Sequence, residues 1–195
     1  MLFKYSRTLI SSMAFGAILL IAVVMQGGCN ASQSSSMAPK ELKGSSGEVV
    51  VMVFTSVDCP IANAMAPQLR RTLEMADSGG ARCLLVYPRQ STTDAERAQH
   101  QSDYRLPGIS LSDGDHRLVD LLDAKITPEA FVVVLNDDQA WDVVYRGRVN
   151  DLYSSIGNRR DQPSRHDLHS AIEAALAGKI PETSRTEAVG CLIER

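Results

Sequence analysis

Apolar residues crowd together between Glu48 and Thr55 and then recur at 61, 62, 65, 69, 72 and 73, so a buried strand is followed by an amphipathic helix. Pro60 suits the first helical turn, where its missing N–H is no loss, and Pro67 falls inside the same helix and is expected to kink it. A "DSGG" turn leads to a second apolar strand, "ARCLLVYP", and "STTDAERAQHQSDYRL" reads as a polar helix that starts at a Ser or Thr near Asp94. "GISLSDGDHRLVDLLDAKI" predicts a short strand, a turn at Asp113-Gly114 and a short helix. "TPEAFVVVLNDDQAWDVVYRGR" predicts a hairpin turning at Asp137-Asp138. Arg165 to Gly178 predicts a last amphipathic helix with Gly178 as its cap, whereas the tail "KIPETSRTEAVGCLIER" has no clear period. Strand-helix-strand-helix order implies parallel pairing and an α/β domain, and no internal repeat is visible.

The chain before this domain has a different pattern. Lys4 and Arg7 precede an apolar run from Met13 to Met25, and no Asp or Glu occurs before Glu41, so residues 1–29 read as an export signal. The ending "MQGGC" resembles the lipobox of bacterial lipoproteins, with Cys29 as the lipidated residue, although Gln26 stands where an aliphatic residue is usual. A plain cleaved signal and a retained anchor are the alternatives, since Thr8 to Met25 is 18 residues without charge. Each places the domain, 48–195, outside the cytoplasm, in the periplasm or cell envelope. Residues 30–47, "NASQSSSMAPKELKGSSG", are Ser-rich and short of apolar side chains, which predicts a flexible tether.

With 195 residues, 44% hydrophobic and 22% charged, the chain suits one domain and a tail. Removing residues 1–29 lowers Lys+Arg from 20 to 18 against 23 Asp+Glu, a net charge of −5, without the basic patch that nucleic-acid binding requires. No cofactor motif is present. If Cys29 is lipidated, Cys59, Cys83 and Cys191 remain; they permit three alternative single disulfides, each leaving one thiol over.

Cys59 stands where the first strand meets its helix, close to unpaired backbone N–H groups and the positive end of the helix dipole, both of which favour thiolate. Position alone leaves a reactive thiol and an inert buried one equally open. Cys83, in the middle of a predicted buried strand, reads as core. Asp58 would raise the pKa of Cys59 if close, and Arg146 and Arg148 either point charge at the site or form a solvated strand end.

Strand, Cys59-Pro60, helix, Pro67 eight residues after the cysteine, and Thr127-Pro128 before a later strand together resemble the thioredoxin-like superfamily. The resemblance spans about Glu48 to Ala177 and implies a thioredoxin-like fold with a central mixed sheet flanked by helices. It implies Cys59 as nucleophile, Pro128 as a cis-proline preceded by Thr127, and a protein thiol or disulfide as partner. More narrowly, "CPIANAMAPQL", "TPEAFVVV", "YRGRVNDLY" and "AVGCLIE" resemble exported redoxin-domain proteins of the Planctomycetes type.

The departure from that pattern is informative. Ala62 occupies the second position of Cys-x-x-Cys, so Cys59 has no local partner. Cys191, after Gly190, is one candidate to complete the chemistry, as a resolving thiol or a permanent structural disulfide partner. A peroxiredoxin-like peroxidase is a second reading: Ser56 fits, but Met52 replaces the peroxide-binding proline and "KITPEAF" lacks the activating arginine. A Sco-like copper module or non-enzymatic interaction module is a third, with Cys59, Cys191 and His166 or His169 as conceivable ligands, although Asn63 replaces the second cysteine of Cys-x-x-x-Cys. Thiol-disulfide exchange through Cys59, with Cys191, Thr127 and Pro128 as the other site residues and no metal, is the leading expectation.

Overall fold

The computed structural model describes residues 39–137 and 140–194. The expected signal, Cys29, the first part of the tether and Asp138 of the predicted hairpin turn lie outside the described residues.

The first apolar run forms β1 (Val49–Phe54), and every residue of it is buried because both faces of the strand are covered. β1 pairs in parallel with β2 (Arg82–Tyr87), which pairs in parallel with β3 (Ile109–Ser112). On its other side β1 pairs antiparallel with β5 (Glu129–Leu135), and β5 with β6 (Trp141–Gly147). The result is one mixed sheet in the order β3-β2-β1-β5-β6.

Alternation along β1 feeds two cores. Val49, Val51 and Val53 pack with residues of α1 (Pro60–Ser78) and α4 (Asp167–Leu176), among them Met65, Leu69, Leu73, Leu168 and Ile172. Val50, Met52 and Phe54 pack on the opposite face with Leu118, Val119 and Leu122 of α3 (Arg117–Leu122), with Trp141 and with Phe131, whose ring meets Phe54 edge-on at 5.5 Å. α2 (Asp94–Tyr104) begins as expected: Thr93 caps it, its hydroxyl accepting from Glu96 N–H at 3.2 Å while its own N–H donates to the Glu96 carboxylate at 2.8 Å. The last helix ends before Gly178, which takes the left-handed conformation at φ 66°.

Two segments differ from the expectation. Residues 40–42, assigned to the tether by composition, form a 3-10 turn (Lys40–Leu42) whose Leu42 is buried in the second core. Arg82 fixes that turn by donating to the Glu41 carbonyl at 2.9 Å, the Lys43 carbonyl at 3.1 Å and the Glu48 carboxylate at 2.8 Å. One apolar side chain with a cavity to fill is too small a signal for composition to register.

The tail, without periodicity in sequence, is paired in the structure. Arg146 N–H donates to Ser184 O and Thr186 N–H to Arg146 O, both at 3.0 Å, which lays the tail along β6. Farther on, β9 (Cys191–Leu192) pairs antiparallel with β4 (Ile126–Thr127). A small hairpin, β7 (Tyr153–Ser155) with β8 (Asn158–Arg159), lies between β6 and α4 in sequence. Strands of two or three residues are too short for a period to show.

Candidate functional site

β1 ends at Phe54, and the chain turns through Thr55 to Asp58 so that Cys59 becomes the N-cap of α1. The Cys59 sulfur accepts from Ala62 N–H at 3.4 Å, the capping geometry usually supplied by Ser or Asp. Its thiol donates to the Thr127 carbonyl at 2.9 Å, and the Thr127-Pro128 peptide is cis. Cys191 is the cross-strand partner of Thr127. The Thr127 hydroxyl donates to the Cys191 carbonyl at 3.4 Å, which sets Cys191 near Cys59. Thus the fold brings together Cys59, Thr127, Pro128 and Cys191, all four residues expected from sequence.

Gly190 makes this approach possible. A Cβ at that position would lie 2.0 Å from the Thr127 carbonyl oxygen and 2.7 Å from its carbon, so any side chain would push the tail off β4.

The two thiols are inequivalent. Burial pushes Cys59 up, but the hydrogen bond from the Cys191 thiol, the Ala62 N–H and the Thr127 side chain outweigh it, so its pKa lies below the ordinary cysteine value. The Thr127 carbonyl favours the thiol; the donors favour the thiolate. Cys191 is pushed up to about 11, by burial first, then by donating to Cys59 and by the charges of Cys59 and Asp58. Of the two, Cys59 is therefore the thiol that ionises first.

Cys83 is core, as expected: it is buried in β2 and burial, with the charge of Asp77, pushes its thiol to about 12. Asp58 does not act on Cys59 as feared in sequence. Its carboxylate is paired with Arg89 at 2.7 Å and accepts from the Ser56 hydroxyl. Neither of the arginines flanking Gly147 turns to the thiols: Arg146 pairs with Glu129 at 3.0 Å and lies over the Phe131 ring, and Arg148 pairs with Asp167 at 2.7 Å. His166 stands at the start of α4 and His169 faces Glu173 at 3.6 Å. Among the described residues no group of three or more His, Cys, Asp or Glu side chains suited to a metal comes together, so the conceivable Cys59, Cys191 and histidine ligand set is not assembled.

Sequence reading missed two parts of the surroundings. Asn63 was noticed only as an absent cysteine, yet its amide donates to the Val57 carbonyl at 3.0 Å and its oxygen meets His100 Nε2 at 2.9 Å. Since the Asn63 oxygen can only accept, His100 Nε2 carries the proton there, and Nδ1 accepts from the buried Tyr87 hydroxyl at 2.9 Å. This chain ties the loop before Cys59 to β2 and α2. Burial, partly offset by Asp103, holds the His100 pKa below the ordinary value, which keeps the ring neutral and the chain intact. Arg89 is the other missed residue; besides Asp58 it reaches Glu194 of the tail at 3.9 Å. Both follow loops and helices distant in sequence, and no motif marks them.

A cleft of about 360 Å³ opens beside the thiols, between the Ser56 to Asp58 loop, Arg89 to Ser91, His116 and the strip Cys191 to Glu194. Its floor includes Thr127 and Cys191, whereas Cys59 itself is only 1% exposed.

No protein-family model and no curated protein matches the chain. Solved structures do. A hypothetical protein of Sinorhizobium meliloti is 21% identical with a TM-score of 0.64, covering 75% of this chain and 79% of that one. An uncharacterized conserved protein of Geobacillus kaustophilus is 19% identical with a TM-score of 0.65, over 77% and 78%. A looser match, at 16% identity and TM-score 0.43 over 68% and 83%, is to a secreted Mycobacterium tuberculosis disulfide oxidoreductase homologous to E. coli DsbE, and at that distance it adds nothing to the assignment. The sheet order, the helices on both faces and the cis-proline facing the α1 cysteine give this chain a thioredoxin-like α/β fold.

Proposed function

We propose that the protein is a thiol-disulfide oxidoreductase whose redox couple is Cys59 and Cys191, working on a protein thiol or disulfide outside the cytoplasm. The observation that carries this reading is that Thr127 joins the two cysteines: its carbonyl accepts from the Cys59 thiol at 2.9 Å and Cys191 stands opposite it in the strand pair, with the Cys59 pKa lowered and the Cys191 pKa raised. The Cys59 thiolate attacks a sulfur of a partner disulfide, forming a mixed disulfide and expelling the other partner sulfur as thiolate. Cys59 then carries no charge, so one influence that held the Cys191 proton is gone and Cys191 ionises more readily. Its thiolate attacks the Cys59 sulfur, the partner leaves as its second thiolate, and the Cys59-Cys191 disulfide forms. Two electrons pass from the protein to the partner, and a dithiol donor resets the couple.

Thr127 and Pro128 serve the partner's backbone, and residues 1–29 direct export with lipid attachment at Cys29, in the manner of the exported redoxin-domain proteins the sequence resembles. Among the described residues no helix is long and apolar enough to cross a membrane.

The test is a redox titration of the full chain against glutathione and dithiothreitol buffers. A potential for the Cys59-Cys191 couple between about −300 and −120 mV supports exchange, and one below about −300 mV marks a permanent structural disulfide and overturns it.

A further inference from the structure

The strip that presents Cys191 has the construction of a strap. Upstream it is tied down at Thr186, whose hydroxyl closes a ring of three hydrogen bonds: it donates to the Tyr145 oxygen at 2.7 Å, Tyr145 donates to the Arg148 carbonyl at 2.6 Å, and Arg148 N–H donates back to the Thr186 oxygen at 3.0 Å. Downstream the hold is slight. Its polar contacts are the two-residue ladder Thr127 to Cys191 and Ile126 to Leu192, the Thr127 hydroxyl donating to the Cys191 carbonyl at 3.4 Å, one bond from Ile193 N–H to Lys125 O at 2.9 Å, and the exposed pair of Glu194 with Arg89. Leu192 is 77% exposed, and the apolar contacts of the strap there are two half-buried side chains, Cys191 against the first core and Ile193 against the second.

The edge it covers is the one next to the nucleophile. Thr127 both accepts from Cys59 and pairs with the strap, and Cys59 is only 1% exposed.

We propose that this tail is a displaceable pseudo-substrate: it holds the docking edge of β4 closed, and its own sequence, Gly-Cys-Leu-Ile-Glu, is the template of the partner segment. This rests on the exchange reading above. The partner is then an extended strand, antiparallel to β4, with glycine immediately before its cysteine, because a Cβ there meets the Thr127 carbonyl at 2.0 Å. Three residues after the cysteine it carries a carboxylate, to replace Glu194 at Arg89, which stays fixed by Asp58 at 2.7 Å. Since partner and strap need one edge, resolution and release are a single event: the tail returns, Cys191 attacks the Cys59 sulfur, and the partner leaves as thiolate.

The test uses the full chain in a Cys191→Ser background, where the mixed disulfide on Cys59 accumulates. Peptides VGCLIE and VVCLIE, each carrying 2-thio-5-nitrobenzoate on its cysteine, report attack by release of the yellow thiolate, and peptide mapping locates the adduct on Cys59. Rates are compared at the plateau of their pH profiles, which separates access from ionisation. Adding Gly190→Val, or Ile193→Pro in a separate chain, is expected to raise the plateau rate at least tenfold, and VGCLIE is expected to outpace VVCLIE at least tenfold. Rates within twofold between opened and closed chains, or between the two peptides, overturn the proposal. If neither peptide labels Cys59 in any chain, the exchange reading fails; the strap is then judged by iodoacetamide, which labels Cys59 at least tenfold faster in the opened chains or, with equal rates, overturns it independently.

Discussion

Cys191 faces Thr127 across an antiparallel strand pair, while the carbonyl of the same Thr127 accepts the Cys59 proton at 2.9 Å. Through one residue a cysteine near the end of the chain is set against a cysteine at the start of α1. The two substitutions therefore separate the steps of exchange. Cys59→Ser is expected to abolish reduction of a disulfide substrate such as insulin. Cys191→Ser is expected to lower turnover at least 100-fold while a mixed disulfide on Cys59 accumulates, seen as a mass increase on the intact protein that dithiothreitol reverses. Turnover that survives in Cys59→Ser sinks the assignment of the nucleophile.

The opposite pKa shifts of the two neighbouring thiols also make a prediction in pH. Alkylation of Cys59 by iodoacetamide is expected to show a midpoint below the ordinary cysteine value, since donors to its sulfur outweigh burial. In Cys191→Ala the strongest of those donors is lost while burial largely remains, so the midpoint is expected to move upward. The reverse holds for Cys191, whose thiol is pushed up to about 11 by burial and by Cys59, and is expected to titrate lower once Cys59 is blocked by a neutral group. A midpoint indifferent to the partner cysteine in both directions rules out the coupling.

The loop that carries Cys59 is set by Asn63 and His100, and this relation has an acid limit. Asn63→Ala leaves His100 Nε2 and the Val57 carbonyl without their partner, at a cost of about 1–3 kcal/mol in stability by urea unfolding. The His100 pKa is depressed in the folded protein, so below the ordinary histidine value the unfolded chain binds a proton that the native one refuses. Stability should then fall as pH drops from about 6.5, and His100→Gln should flatten that fall by removing the titrating group. An unchanged acid profile in His100→Gln separates the ring from the acid response.

How much of this was legible beforehand depended on the length of the signal. β1 and α1 were readable because six consecutive apolar residues and a helical period of 19 residues each repeat one instruction many times. The cis Thr127-Pro128 peptide was anticipated because Cys59-Pro60 and Thr127-Pro128 keep the order and spacing of the superfamily that the sequence resembles. The return of the tail was legible in part: Cys191 after Gly190 marked it as a candidate to reach Cys59, and it does lie near it, but its pairing with β4 was not, because β4 and β9 hold two residues each. The same holds for His100, whose meaning comes from Asn63, 37 residues away.

Cys83 supplies the control for the thiol site and a limit at the alkaline end. Buried in β2 and far from ionising at pH 7, it takes no part in exchange, so Cys83→Ala is expected to keep insulin reduction within twofold of the parent. The lost packing should cost about 1–3 kcal/mol in urea unfolding at pH 7.5. Between the ordinary thiol value of 9.0 and its folded value of about 12, Cys83 keeps a proton that the unfolded chain releases. Tyr87 and Tyr145 do the same between 10.0 and about 12. The native state then binds more protons than the unfolded one, so stability must fall as pH rises through this window. In Cys83→Ala the decline between pH 9 and 10 should be shallower, by at most the slope of one proton, about 1.4 kcal/mol per pH unit. Parallel declines for parent and variant place the alkaline titration elsewhere.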